Sequence, residues 1–316
     1  MIKCKFCGEE TIEIPDFETA TDYGDFHYIC KNCGAIGYEV LGHGMTWDEQ
    51  SVTPENRRIK EAFAMKSKLN PDWVIPRLKG FLEQKGIKKV VIGISGGKDS
   101  TIVAKLMVDC LGKDNVLGVL MPNGVQKDIS DAEEVVKFLG IPSIKVNIGR
   151  SFNALYENMN VGLSEISGSI SEDARINIAP RIRMSVLYAV AQSMGNGWRV
   201  AGTTNKSEEY IGWLTKWGDG AADFEPVIDY TVRELLQLGV NLGLPKDKVY
   251  KVPIDGLADG SDEDRFGFTY NQLDDFIEKG TSGDEFVDEK ICKMHQYSEH
   301  KRVSIPYFRF NRLVYE

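Results

Sequence analysis

The sequence predicts an α/β fold, a parallel sheet with helices on both faces, because short apolar segments alternate with amphipathic helical patterns along most of its 316 residues. The clearest apolar segment, residues 90–94, is rich in β-branched side chains and leads straight into a glycine-rich turn and a helical pattern. The apolar segments 116–121 and 198–203 are likewise followed by polar turns and then helical patterns. Since ligands bind beyond the carboxyl ends of the strands in such sheets, we expect the functional residues there.

The chain divides by composition into three regions. Residues 1–45 contain paired cysteines, residues 46–70 are polar and predict a linker with a helix, and residues 71–316 carry the alternating pattern. In this last region we predict, in order, a helix that begins at Pro71 and ends before Gly86, strands at 90–94 and 116–121, a helix at 130–139, a strand at 144–148, a helix at 172–194, a strand at 198–203 and a helix at 231–242. Segments 162–171 and 255–268 are predicted to be mobile loops able to order over a substrate.

The overall composition is that of a water-soluble globular protein, with 42% hydrophobic and 27% charged residues. No apolar run is long enough to cross a bilayer, and the first residues lack the apolar core of a secretion signal, so we expect a cytoplasmic protein that does not bind membranes. The formal net charge of −9 argues against nucleic acid as the main partner, because binding to a phosphate backbone relies on clustered Lys and Arg.

Four of the six cysteines form two identically spaced pairs near the N-terminus, Cys4 with Cys7 and Cys30 with Cys33. Each C-x-x-C spacing lets two thiolates face one ion, and a glycine follows each pair. A redox pair is the alternative, but two matched copies favour a structural four-cysteine zinc site. Residues 1–45 therefore resemble a small zinc ribbon, which would depend on its Zn²⁺ for much of its stability.

The strand at 90–94 runs into a turn that contains two glycines, two serines, Lys98 and Asp99. The glycines let the backbone approach a bulky anion, and the following helix offers unpaired N–H groups to a phosphate. A βα turn without a ligand is the plain alternative, but so many polar groups in six residues favour phosphate binding. The turn resembles the pyrophosphate loop of the ATP pyrophosphatase superfamily, a resemblance that implies a Rossmann-like sheet and cleavage of ATP between its α- and β-phosphates.

A second carboxylate is predicted at the same edge of the sheet. Thr203 ends the strand at 198–203, and Glu208 lies about one helical turn beyond the next residue. Asp99 and Glu208 together offer the oxygen ligands that Mg²⁺ needs when it bridges ATP phosphates. From the residues alone, a solvated start of a helix remains an equal alternative for Glu208.

Several further motifs make the resemblance specific. Residues 70–306 resemble NAD synthetase, the ammonia-dependent form, in the order and spacing of segments 177–184, 203–208, 215–226, 253–257, 262–274 and 300–302. The resemblance implies a homodimeric ligase that adenylates deamido-NAD with ATP and then transfers the acyl group to ammonia, releasing AMP and pyrophosphate. The chain has no room for a glutaminase domain, so we expect free ammonia as the nitrogen source.

The same resemblance implies the roles of individual residues. Asp99, Lys98 and Glu208 would be catalytic, and Asp99 and Glu208 would hold Mg²⁺. The implied ATP-binding residues are Gly93, Ile94, Ser95, Gly96, Gly97, Lys98, Asp99, Ser100, Met121 and Thr203. The implied deamido-NAD-binding residues are Arg181, Lys216, Asp223, His300 and Lys301. Cationic side chains suit a substrate that carries a pyrophosphate and a carboxylate.

Two positions depart from the family pattern. A Lys that usually reaches ATP after Asp223 is absent, with Arg233 as the candidate substitute, and Ile254 stands where a small hydroxyl residue is usual. Two rival hypotheses come from other classes: a tRNA thiolase, which shares the loop and the cysteine knuckles, and a non-catalytic nucleotide-sensing scaffold. The thiolase would need further cysteines near the loop and a basic face, whereas Cys110 and Cys292 are isolated.

Overall fold

The computed structural model describes residues 11–13, 26–30, 36–40 and 44–47 as backbone, and residues 68–126, 129–250 and 261–308 in full. The chain divides into two compact units, Met1–Lys68 and Leu69–Glu316. The first unit contains an antiparallel sheet whose strands follow chain order: β1 (Thr11–Glu13), β2 (Phe26–Cys30), β3 (Ile36–Val40) and β4 (Gly44–Trp47). Cys4, Cys7 and Cys33 lie outside the described residues, as does most of the predicted linker, and of Cys30 only the backbone is described.

The second unit contains the parallel sheet. Its strands are β5 (Lys89–Gly93), β6 (Val116–Leu120), β7 (Ser143–Lys145) and β8 (Trp198–Val200). Its helices are α1 (Pro71–Gln84), α2 (Lys98–Leu111), α3 (Ile129–Leu139), α4 (Gly149–Ser164), α5 (Glu172–Ile176), α6 (Ile178–Ser193), α7 (Lys206–Ile211), α8 (Val232–Asn241), α9 (Lys246–Val249), α10 (Asp262–Phe266), α11 (Tyr270–Lys279), α12 (Glu285–Tyr297) and α13 (Glu299–Arg302). No helix in the described ranges is long and apolar enough to cross a membrane.

The strand order in this sheet is β7-β6-β5-β8, and all neighbours are parallel. The chain moves outward from β5 to β6 and β7, then returns to place β8 on the other side of β5. The direction of strand addition therefore reverses between β5 and β8, where Val91 pairs with Val200. Such a reversal opens a crevice beyond the carboxyl ends of the two strands, and this crevice is where open α/β sheets bind ligands.

Apolar side chains fill both faces of the sheet, because successive residues of a strand point to opposite sides. Val90 and Ile92 of β5 are fully buried in a cluster that includes residues of α1, α2, α3 and α8. Val91, between them, is fully buried in a second cluster with residues of α6. The sequence prediction of a parallel sheet with helices on both faces is thereby confirmed. A third cluster joins α7, α8, α10, α11 and α12 around Phe266.

Two predicted elements, a strand and a helix, differ from the structure. The strand predicted at 144–148 ends at Lys145, because Pro122 lacks the N–H that would continue the parallel ladder from β6. The helix predicted at 172–194 is two helices, α5 and α6, which meet at Asn177. Pro180 explains this break, since a proline there cannot donate to a carbonyl four residues earlier.

The two segments predicted as mobile loops also differ. Residues 162–164 belong to α4, a helix that the sequence analysis did not predict. Residues 262–266 form α10, which a Ser261 capping box begins and Gly267 in a left-handed conformation ends. Residues 251–260, which include Ile254, lie outside the described residues.

Candidate active site

The glycine-rich turn joins β5 to α2 at the strand reversal. Gly96 has a φ of +79°, and a Cβ there would lie 2.7 Å from the backbone N of Ala132 in α3, so both conformation and space require glycine. Gly97 is the N-cap of α2, and its N–H donates to Ser95 Oγ at 3.1 Å. The Ser95 and Ser100 hydroxyl oxygens lie 3.1 Å apart, which closes the turn. The sequence therefore folds here into a narrow loop before a helix start, as phosphate binding needs.

Lys98, the first residue of α2 after this loop, is a buried cation. Its Nζ lies 2.8 Å from Asp99 Oδ2 and 5.4 Å from the ring centroid of Tyr270. Burial favours the neutral amine, but the carboxylates of Asp99 and Glu208 outweigh it and raise the pKa of Lys98 to about 12. Lys98 therefore keeps its charge at any physiological pH.

Glu208 lies opposite this loop, in the first turn of α7. Its backbone N–H donates to Oδ1 of Asn205, the N-cap of that helix, at 3.0 Å, and its carboxylate accepts from the Asn205 backbone N–H at 3.3 Å. Burial first, and then the negative charge of Asp99, raise the pKa of Glu208 well above its ordinary value. Glu208 is thus a partly buried residue in the first turn of α7, and its role as a metal ligand stays a prediction.

The chemistry of these groups suits a divalent cation. Asp99 and Glu208 are carboxylates that repel each other in a buried setting, and a bound Mg²⁺ would relieve that repulsion. No cluster of three or more His, Cys, Asp or Glu side chains able to hold a metal occurs among the described residues. A cation here would thus take its remaining oxygen ligands from phosphates and water, as Mg²⁺ commonly does.

These groups face one cavity of about 660 Å³ at the carboxyl end of the sheet. The structure places nearly all of the predicted ATP-binding and catalytic residues in its wall, namely Gly93, Ile94, Ser95, Gly97, Lys98, Asp99, Ser100, Met121, Thr203 and Glu208. The remaining predicted residue, Gly96, does not line the cavity and instead shapes the turn. The volume is in the range of small-molecule sites.

The predicted deamido-NAD-binding residues are only partly at this cavity. Lys301 lines it, and its Nζ donates to the carbonyls of Gly212 and Leu214, each at 2.7 Å. Asp223 does not line it: its carboxylate accepts from the Val200 N–H at 2.7 Å and so caps the end of β8. Asp223 therefore has a structural partner that the sequence did not indicate.

The other three predicted residues form a separate cationic cluster. Arg181 Nε donates to the Lys216 carbonyl at 3.4 Å, and Lys216 Nζ donates to the His300 carbonyl. All three lie outside the cavity wall. The structure brings them together through α6, the segment after α7 and α13, although they are far apart in the sequence.

The structure also excludes Arg233 as the substitute for the missing lysine. Its guanidinium pairs with Asp275 at 2.8 Å and with Glu278 at 3.2 Å, on the side of α8 that faces α11. It does not line the cavity. The sequence could not reveal this, because both acidic partners lie more than 40 positions further along the chain.

Several cavity residues were missed in the sequence analysis. They are Asp173, Asn177, Arg183, Thr204, Asp219, Asp262 and Arg265. Arg183 Nε donates to the Met121 carbonyl at 3.2 Å, and Asp219 accepts from the Thr215 N–H at 2.8 Å. Burial raises the pKa of Asp219. Most of these residues belong to the motif segments that carry the family resemblance. Their membership of those segments was the signal that could have identified them as cavity residues.

Comparison with known proteins supports this interpretation. Residues 74–305 match the family model for NAD synthase. The chain is 41% identical over 210 residues to an NH(3)-dependent NAD(+) synthetase from Pyrococcus horikoshii, with 66% of this chain and 78% of the relative covered. It is 37% identical over 249 residues to the enzyme of the same name from Pyrococcus furiosus, with 74% and 93% covered. Among solved structures, an NMN synthetase from Francisella tularensis superposes with a TM-score of 0.68 at 31% identity, over 76% of this chain and 99% of that one.

Proposed function

This chain belongs to the NAD synthase family, and we propose that it acts as an NH3-dependent NAD⁺ synthetase, a ligase that joins ammonia to the nicotinate carboxylate of deamido-NAD. One observation supports this activity above the others. A glycine-rich loop, the buried cation of Lys98 and the carboxylates of Asp99 and Glu208 face a single cavity where the strand order reverses. The arrangement suits a nucleoside triphosphate with its divalent cation. The tRNA thiolase and the scaffold have no comparable support.

The residues of this chain would act in two steps. In the first, the nicotinate carboxylate attacks the α-phosphorus of ATP, forms an acyl adenylate and expels pyrophosphate. The loop N–H groups and the permanent charge of Lys98 stabilise the negative charge that develops on the leaving group. Mg²⁺, held by Asp99 and Glu208, would supply further charge neutralisation. In the second step ammonia attacks the activated carbonyl, AMP leaves, and the nitrogen loses a proton.

The nicotinate half of the substrate needs a second group of contacts. We assign it to Lys301 at the cavity and to the cationic cluster of Arg181, Lys216 and His300 nearby, because the dinucleotide carries a pyrophosphate and a carboxylate. Asp223 would contribute through the end of β8, which it caps. A dinucleotide is longer than one nucleotide site, so a set of contacts outside the ATP cavity is expected.

Three further features remain proposals. The paired cysteines Cys4, Cys7, Cys30 and Cys33 would hold a structural Zn²⁺, since two C-x-x-C pairs match a closed thiolate shell. The enzyme would be a homodimer, as the family resemblance implies. It would work in the cytoplasm.

Release of AMP tests the activity directly. The purified full chain should release AMP when it is given ATP, Mg²⁺, ammonium and deamido-NAD, and release should stop when either ammonium or deamido-NAD is withheld. Nicotinic acid mononucleotide is the comparison substrate, because the similar Francisella protein is named an NMN synthetase. A higher kcat/KM for the mononucleotide would contradict the dinucleotide substrate, and no AMP with either would contradict the ligase activity.

The variant Asp99→Ala tests the metal role. We expect kcat/KM to fall by about 100-fold or more, because one buried carboxylate at the phosphates is lost. Asp109→Ala is the matched control: Asp109 lies on the same helix, α2, and pairs with Lys105 at 2.5 Å away from the cavity. Wild-type activity in Asp99→Ala would contradict the role assigned to Asp99.

A further inference from the structure

Asn205 is fully buried at the N-cap of α7, and it contacts both Asp99 and Glu208, the two residues assigned to the metal. Its amide oxygen accepts from the Glu208 backbone N–H at 3.0 Å, and its own N–H donates to Glu208 Oε2 at 3.3 Å. Its amide nitrogen donates to Asp99 Oδ1 at 3.0 Å. Asn205 therefore joins two carboxylates at the starts of α2 and α7, that of Asp99 through its side chain and that of Glu208 through its backbone N–H.

These contacts fix the orientation of the Asp99 carboxylate. Its Oδ1 accepts from Asn205, and its Oδ2 accepts from Lys98 Nζ at 2.8 Å. With one oxygen engaged by Asn205 and the other by Lys98, rotation of the carboxylate would break a hydrogen bond in a partly buried site. The Glu208 carboxylate is restrained in the same way through the capping box.

The helix that carries Glu208 is itself anchored on its other side. Ser207 Oγ donates to Asp274 Oδ1 at 2.5 Å and accepts from the Val232 N–H at 3.0 Å. Both Ser207 and Asp274 are fully buried. Because these contacts hold α7 in place, the Asn205 amide that donates to Asp99 is held in place as well.

We propose that Asn205 is a positioning residue that aligns the Asp99 and Glu208 carboxylates before Mg²⁺ and nucleotide bind. This inference rests on the proposed function only in assuming that the cavity takes ATP with a divalent cation. The contacts require an acceptor and a donor on two different atoms, because Oδ1 accepts from the Glu208 N–H while Nδ2 donates to Asp99. Ser and Thr have both functions on one hydroxyl oxygen, and ionised Asp has no donor. Partners that orient metal ligands in this way strengthen metal binding.

Two variants test the proposal while they preserve the helix cap. Asn205→Ser and Asn205→Thr keep an oxygen for the Glu208 N–H but remove the amide nitrogen that donates to Asp99. ATP binding is measured by calorimetry in EDTA and again in Mg²⁺, and the ratio of the two affinities gives the metal-dependent gain. We expect affinity in EDTA to stay within about twofold of wild type and the gain to fall by about 10- to 100-fold.

A cap removed elsewhere provides the control. Asp284 is the N-cap of α12: its carboxylate accepts from the Phe286 N–H at 2.9 Å, and it does not line the cavity. The variant Asp284→Ala should therefore leave the metal-dependent gain unchanged. An unchanged gain in both Asn205 variants would overturn the proposal. So would an equal loss with and without metal, which would mean that Asn205 only supports the fold. Because deamido-NAD is absent from these titrations, the result stands apart from the assay of the ligase activity.

Discussion

Glu225 shows how one residue at the edge of the site responds to its surroundings. Its carboxylate accepts from the Thr204 N–H at 3.2 Å and from Thr204 Oγ1 at 3.4 Å. The Glu225 carboxylate also packs against Gly202: a Cβ added to Gly202 would lie 2.1 Å from Glu225 Oε1. Burial outweighs the two hydrogen bonds and raises the pKa of Glu225 from about 4.5 to about 7. The folded protein therefore holds a proton on Glu225 at pH values where the unfolded chain has lost it.

A pH-dependent effect on stability follows. Because the pKa of Glu225 is higher in the folded state, its contribution to the free energy of unfolding is retained below pH 4.5 and is lost as the pH rises towards about 7. Glu225→Gln cannot ionise, so its stability relative to wild type should rise by up to about 3 kcal/mol between pH 4.5 and pH 8. Urea denaturation of both proteins at pH 5 and pH 8 measures this, and a difference that does not change with pH would contradict the assignment.

At the scale of secondary structure, a buried carboxylate joins three helices around the site. Asp274 in α11 is fully buried, and it accepts from Ser207 Oγ in α7 at 2.5 Å and from the Arg233 N–H in α8 at 2.8 Å. The N–H of Arg233 is near the start of α8, where no carbonyl of its own helix is available. Asp274 therefore satisfies one helix end and anchors the helix that carries Glu208.

Neighbouring carboxylates in α11 allow a matched comparison. Asp274→Ala leaves the Ser207 hydroxyl and the Arg233 N–H without their acceptor in a buried place, so it should lower the free energy of unfolding by about 3 kcal/mol. Asp275→Ala removes the partner of Arg233 and Lys279 at the surface and should cost less than about 1 kcal/mol. Equal losses in the two variants, measured by urea denaturation, would show that Asp274 is not an anchor.

Elements and contacts differ in how far the sequence predicts them. The turn at 94–97 and its position before α2 were predictable, because strand, turn and helix signals are contiguous there. The helix α4 was missed since it begins only a few residues after the short strand β7, and its glycines resemble a loop. The link from Asn205 to Asp99 spans 106 positions, and only the strand order brings the two residues together.

At the scale of the whole molecule, the ligand cavity and the family match belong to the second unit. The cavity wall runs from residue 93 to residue 301, and the family model matches residues 74–305. All three apolar clusters consist of residues from Leu69 onward. The Leu69 carbonyl accepts from Asn241 Nδ2 at 2.7 Å, so this unit includes the chain from at least that residue. The second unit thus contains an apolar core and a site of its own.

Removal of residues 1–67 tests this division and the zinc proposal together. Residues 68–316 should keep a cooperative thermal unfolding transition, because their apolar core is intact. They should also release AMP from ATP in the presence of deamido-NAD and ammonium, because the cavity is intact. The full chain should release about one Zn²⁺ when its thiols are modified. The truncated chain should release none, since all four proposed cysteine ligands lie within residues 1–67. A colorimetric chelator measures the released metal. Zn²⁺ release from the truncated chain would place the metal elsewhere, and loss of folding on truncation would mean that the second unit requires the first.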